Sequence, residues 1–125
     1  MNFSNAQLMA AIQEAKARKV KVYVTLNTVV KNAEIKDLID VLAFLEKVKV
    51  DAVIIQDWGV YRIARQFFPS LVLHASTQMG NHNSVGVNFN AKLGIVRTIL
   101  ARELTMSELQ TISSRIHSEI ELFVQ

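Results

Sequence analysis

His74 and Ser76 stand two residues apart in a β-branched and aliphatic run, and are the first pair in this sequence with the chemistry for acid–base work. Alternate residues of a strand share a face. Both side chains are therefore expected at the same end of a sheet, where an imidazole serves as a general base. The competing reading is a hydrogen-bonded structural pair, and it is preferred. A serine nucleophile is not expected, because parallel side chains do not point at each other and Ser76 lacks a strand-to-helix elbow.

Asp57 and Glu103 close two further runs, at positions where carboxylates act as acids, bases or metal ligands, although capping the next helix explains each equally well. Arg102 is expected to face inward beside Glu121 on a neighbouring strand, as an ion pair rather than as a free anion-binding group. His82, between Asn81 and Asn83, falls in a loop that reaches the same end, and helix capping by asparagine accounts for most of its polar surroundings. Trp58, Tyr61, Phe67 and Phe68 recur at helical spacing and are expected in packing between helices.

The elements that must position these residues alternate. Runs at 20–27, 52–57, 71–77, 95–103 and 120–125 read as strands, and each follows a helical pattern. Ser4 with Gln7, and Thr105 with Glu108, have capping-box spacing. Ile35, Leu38, Ile39, Leu42 and Leu45 make an apolar helical stripe from near Asn32 to near Lys47. A helix at 58–68 stops at Pro69, and one at 83–93 has Gly94 as its left-handed cap. Strict alternation implies right-handed crossovers and a parallel sheet.

Sorting the runs by face separates a doubly wound sheet from a barrel. One face is aliphatic: Val22, Val24, Leu26, Val53, Ile55, Leu71, Leu73, Ile99, Ala101, Leu122 and Val124. The other carries Tyr23, Thr25, Asn27, Ile54, Gln56, His74, Ser76, Thr98, Leu100, Arg102, Glu121, Phe123 and Gln125, and grows more polar toward each C-terminal end. Active sites of β/α-barrels sit at that end. The expected fold class is α/β, a partial TIM-like β/α-barrel of about five parallel strands, with 1–125 a single unit of a larger barrel domain.

Composition excludes more than it names. The chain has 125 residues, half of them hydrophobic, enough for one core. It has no cysteine, which removes disulfides, thiolate metal sites and a cysteine nucleophile from these residues. No apolar run nears the roughly 20 residues of a membrane helix, and Met1-Asn2-Phe3-Ser4 lacks a basic leader, so a cytoplasmic protein without membrane contact is expected. The net charge of +3 names no partner. Lys16, Arg18, Lys19 and Lys21, with Lys47 and Lys49, fall at helix ends and strand starts on the barrel's stability face, where cations complement helix dipoles. RNA binding there is the less favoured alternative.

Several motifs in one order resemble peptidase family U32, the collagenase-like peptidases: Val-Tyr-Val-Thr-Leu-Asn-Thr at 22–28, Gln-Asp-Trp-Gly at 56–59, His-Ala-Ser-Thr-Gln-Met at 74–79, Leu-Ala-Arg-Glu-Leu at 100–104 and Glu-Ile-Glu-Leu-Phe-Val-Gln at 119–125. The resemblance covers nearly the whole chain, including Asn-Phe-Ser at 2–4. It implies strands three to seven of the barrel, followed in the family by a cysteine signature that these residues lack, and Gln125 stands where the family has histidine. It implies a hydrolase by family name, inactive in this segment alone, or a segment of an enzyme hydroxylating tRNA, rRNA or quinone precursors. A non-enzymatic, self-associating barrel segment is the third reading. Catalytic candidates are His74, Glu103 and Asp57, and substrate-facing candidates are Asn27, Gln56, Ser76, Gln78 and Arg102, with no metal site. No cofactor is expected in the segment, with an iron–sulfur cluster in some full-length relatives. Partners implied are a homo-oligomer or the rest of the barrel, and a peptide or RNA substrate.

Overall fold

The structure, a computed structural model, describes residues 3–124; Met1, Asn2 and Gln125 lie outside the described residues, and with them the expectations for Asn2 and Gln125. Helix α1 (Asn5–Ala17) opens with the expected box: the Gln7 amide donates to Ser4 Oγ at 3.3 Å and the Ser4 amide to Gln7 Oε1 at 2.9 Å. Strand β1 (Tyr23–Leu26) follows, then a 3-10 turn at Asn32–Glu34 that runs into α2 (Ile35–Val48). Of the predicted stripe on α2, Leu38, Leu42 and Leu45 are buried and Ile35 packs against them, whereas Ile39 is 40% exposed. It lies off the 3–4–3 spacing that the other four share.

The chain continues through β2 (Ala52–Ile55), α3 (Trp58–Phe67), β3 (Leu73–Ala75), a 3-10 turn at Thr77–Met79, α4 (Ser84–Lys92), β4 (Arg97–Ile99), α5 (Met106–Ser113) and β5 (Glu119–Glu121). Asn83 caps α4 through the Gly86 amide at 2.9 Å, Gly94 follows it at φ 78°, and Thr105 with Glu108 boxes α5. The strands are shorter than the apolar runs, because backbone pairing ends before the β-branched composition does. All five pair in parallel in the order β1-β2-β3-β4-β5.

The sheet is curled. Strands three apart in a flat sheet lie roughly 14 Å apart, yet the Arg97 guanidinium on β4 stands 5.2 Å from the centre of the Tyr23 ring on β1, and His74 on β3 meets the same ring edge-on at 4.9 Å. Side chains bridge that span only across a concave face. This arc is the expected α/β architecture of parallel strands alternating with helices.

The convex face is covered by the helices. Ile12, Leu38, Leu42, Leu45, Val53, Ile55, Val60, Leu71, Leu73 and Ile95 form the larger cluster, and Val87, Leu100 and Ile112 a second one that Ile120 joins. Each fully buried aliphatic side chain contributes about 1.5–3 kcal/mol relative to exposure. Asn90 on α4 donates to Asn81 Oδ1 and to Thr98 Oγ1, both at 3.2 Å, tying the helix to β4 through buried polar atoms.

That bond corrects the predicted faces of β4. Thr98 is in register with Ala75 and Ile120, so Thr98 and Leu100 face the helices, while Arg97 and Ile99 face inward. Leu122 and Val124, expected under the helices, are 41% and 97% exposed. Trp58 and Phe67 are about half exposed, so of the four aromatics expected in packing only Phe68 is buried, with Tyr61 anchored by its hydroxyl to the Leu93 carbonyl at 3.0 Å.

Candidate functional site

The strand register sets out two rows on the concave face. Thr25, Ile54, His74, Arg97 and Glu119 are partners across the five strands. Extending the ladder beyond Leu26, Ile55 and Ala75 by one residue brings Asn27, Gln56 and Ser76 into a second row, at the C-terminal strand ends, with Ile99 and Glu121 beside them. The Ser76 amide donates to the Ile55 carbonyl at 2.7 Å and so carries the ladder this far. Three of the predicted substrate-facing residues therefore stand side by side at the mouth.

His74 does not reach them. It lies in the lower row, buried between Tyr23 and Arg97, with Nδ1 lacking a hydrogen-bond partner among the described residues. Burial, and then the Arg97 charge, hold its pKa below the usual histidine value. Ser76 Oγ accepts the Gln78 amide at 3.3 Å and starts the 3-10 turn. The two residues share a face, as predicted, but they form neither a dyad nor a hydrogen-bonded pair.

The expected Arg102–Glu121 ion pair is replaced by one from Arg97. Its guanidinium reaches Glu119 at 2.7 Å and Glu121 at 3.2 Å. The hydrogen bond from Arg97, with its charge, holds the Glu119 carboxyl below the usual carboxylate range. Arg102, beyond β4 and exposed, instead covers the Phe123 ring at 4.2 Å. Arg97 does not stand out in the sequence because the 95–103 run reads as one long strand of the opposite phase. Two carboxylates on one face of β5 were the available signal, since they call for a cation on the same face of the adjacent strand.

Loops complete the rim. Asp57 caps α3: its Oδ1 accepts the Gly59 and Val60 amides at 2.6 and 3.1 Å, and its Oδ2 accepts Val30 at 3.3 Å. Both oxygens are thus engaged by backbone, the capping alternative rather than the acid–base one. His82 has Nδ1 2.9 Å from the Gly80 carbonyl and Nε2 3.4 Å from Glu103. Donation from Nδ1 to that carbonyl and from Nε2 to the carboxylate together require a proton on each ring nitrogen, and it is this imidazolium form that can pass a proton to a group in the mouth. Gln78 is exposed beside this loop.

A cleft of about 400 Å³ opens on the helix side of β1, among Leu26, Val30, Asp37, Leu38 and Val41. A second, of about 600 Å³, lies between α4 and the loop before β5. Among the described residues no three His, Cys, Asp or Glu side chains converge as metal ligands. With no cysteine in the chain, the thiolates of an iron–sulfur cluster would not come from it. No described helix is long and apolar enough to cross a membrane.

A sequence model of peptidase family U32 matches residues 1–125. The chain belongs to peptidase family U32. The structure of the U32 peptidase Mk0906 superimposes with a TM-score of 0.76 over 95% of this chain and 51% of that one, at 16% identity, which is likeness of fold. Among curated proteins, this U32 chain is 35% identical to tRNA hydroxylation protein P of Escherichia coli, over 98% of its own length and 27% of that protein. It is 35% identical to tRNA hydroxylation protein P2 of Bacillus subtilis, over 98% of its length and 40% of that protein. The 23S rRNA 5-hydroxycytidine C2501 synthase of E. coli is 32% identical over 83% of the chain and 16% of the synthase. The chain thus spans less than half the length of these curated proteins.

Proposed function

We propose that this chain forms one wall of the substrate site in an RNA-hydroxylating enzyme acting on tRNA, and that its five strands are part of a closed barrel. The observation that carries the reading is the polar row Asn27, Gln56 and Ser76 at the strand ends, in a chain similar over nearly its whole length to proteins named for tRNA hydroxylation. In this reading Gln56 and Asn27 offer amide donors and acceptors to the edge of a base. Arg102 over Phe123 supplies a flat cationic and aromatic surface of the kind on which unstacked bases rest. His82 with Glu103 handles a proton at the rim. An RNA substrate carries with it a cytoplasmic location.

Peptide hydrolysis is the reading the family's name suggests. The relation of His74 to Ser76 gives it no support, since the imidazole is a row below the mouth and the hydroxyl is engaged by the Gln78 amide. The unpaired edges of β1 and β5 favour covering by further strands of the same barrel or by a second copy of the chain. A monomeric mass by light scattering at high concentration would remove the second copy.

The test is complementation of a strain lacking the protein, with hydroxylated tRNA nucleosides measured by mass spectrometry. Gln56→Ala and Arg102→Ala should each lower them by about tenfold relative to wild type, the loss expected from one buried or stacked contact. Wild-type levels in both variants would contradict the assignment of this wall.

A further inference from the structure

The end of the molecule opposite the mouth carries charge that the fold does not use. Lys19, Lys21, Lys47 and Lys49 are exposed, and their side chains make no hydrogen bond or ion pair among the described residues. None of the acidic groups nearby forms an ion pair with them among the described residues: Glu14 holds Arg18 at 2.6 Å and Glu119 holds Arg97 at 2.7 Å, while Glu46 and Asp51 keep their charge and accept from neutral donors, the Ser70 hydroxyl at 2.5 Å and the Val22 amide at 2.7 Å. Lys16 adds a fifth cation and ties α1 to the end of α2 by donating to the Val48 carbonyl at 3.0 Å.

Two of these lysines sit where lysine is a poor choice. Lys19 and Lys49 have φ of 58° and 54°, the left-handed conformation that closes α1 and α2. The Val20 amide returns to the Ala15 carbonyl at 2.8 Å and Val50 to Leu45 at 3.3 Å, the closing bond of a Schellman turn in each case. Glycine takes that conformation freely, and an L-residue costs about 1–2 kcal/mol there. The same turn after α4 is made by a glycine, Gly94, at φ 78°. A lysine near a helix C-terminus recovers about 0.3–1 kcal/mol from the dipole, which does not exceed the strain. Helix chemistry alone therefore gives no net reason for lysine at both positions.

We propose that this end, centred on Lys19, Lys21, Lys47 and Lys49, is a docking surface for the phosphodiester backbone of the RNA substrate. The inference rests on the RNA reading above and deepens it by separating two tasks: the mouth takes the base, and the lysine end holds phosphates. Lysines act on phosphate as exposed point charges, and their contribution is sequence-independent and salt-dependent. The two ends are separated by about the length of α2, roughly 20 Å for a helix of this size, a span that a folded RNA exceeds.

The test is binding of fluorescently labelled tRNA to the full chain, followed by anisotropy across a salt series. Lys19→Gly/Lys49→Gly should weaken binding and reduce the slope of log K against log salt by about 2, one per cation, while thermal stability holds or rises. Lys21→Gln/Lys47→Gln, at unstrained positions, should reduce the slope similarly. Lys31→Gln/Lys36→Gln removes as much charge at the mouth end and should leave the slope unchanged. An unaltered slope in the first two variants, an equal loss in the third, absence of salt-dependent tRNA binding by wild type, or equally tight binding of polyglutamate would each overturn the proposal. Nucleoside profiling separates it from the functional reading. Slopes as expected with unchanged hydroxylation in a deletion strain would leave the lysine surface standing and remove the enzyme reading, and lost hydroxylation with unaltered slopes would do the reverse.

Discussion

At the scale of residues, the concave face is organised by Arg97 rather than by the residues that first draw notice. Its guanidinium holds two carboxylates on β5 and touches a tyrosine on β1, so Arg97→Ala should lower the melting temperature more than Arg102→Ala, whose side chain is exposed over Phe123. Equal effects in thermal melts would count against this. His74 supplies a pH dependence. Its folded pKa is below that of the unfolded chain, chiefly through burial, so the unfolded state takes up the proton first as pH falls. Stability is fully present above the ordinary histidine value of about 6.5 and declines as pH drops from there toward the depressed folded value. Urea unfolding at about pH 7.5 and about pH 5.5 should show that loss in wild type and a smaller one in His74→Gln; identical losses would mean that another group is responsible. The polar row was legible because Asn27, Gln56 and Ser76 break aliphatic runs at their ends. Arg97 was not, since Arg97-Thr98-Ile99 alternates too weakly to fix its phase without knowing that Asn90 takes the Thr98 hydroxyl.

At the scale of elements, local chemistry and tertiary need agree at the helix starts. Ser4, Thr105, Asn83 and Asp57 all cap as their spacing implies, which is why the helices could be read from the sequence while strand lengths could not: a strand ends where its neighbour stops pairing, and that is not local information. Asp57 joins two elements, capping α3 and holding the loop after β1 through Val30. Asp57→Ala should destabilise by about 0.5–2 kcal/mol in chemical unfolding, and a neutral result would show that solvent replaces the cap. Asn90→Ala should cost about 1–3 kcal/mol, because it leaves Asn81 and Thr98 with unpaired buried oxygens.

At the scale of the whole molecule, an arc of parallel strands presents a polar row at one end and exposed lysines at the other, with an ion-paired layer between them. Alternation of helix and strand made the arc legible, and the resemblance to family U32 named its kin, but no local pattern distinguishes a peptidase wall from a hydroxylase wall on the same scaffold. The similarity to tRNA hydroxylation proteins is what tips the reading toward RNA. The most direct test is therefore the nucleoside profile of total tRNA from a strain lacking this protein, compared with the same strain carrying it. At least one hydroxylated nucleoside should disappear in the deletion strain and return with the wild-type gene; an unchanged tRNA profile would contradict a role in RNA hydroxylation.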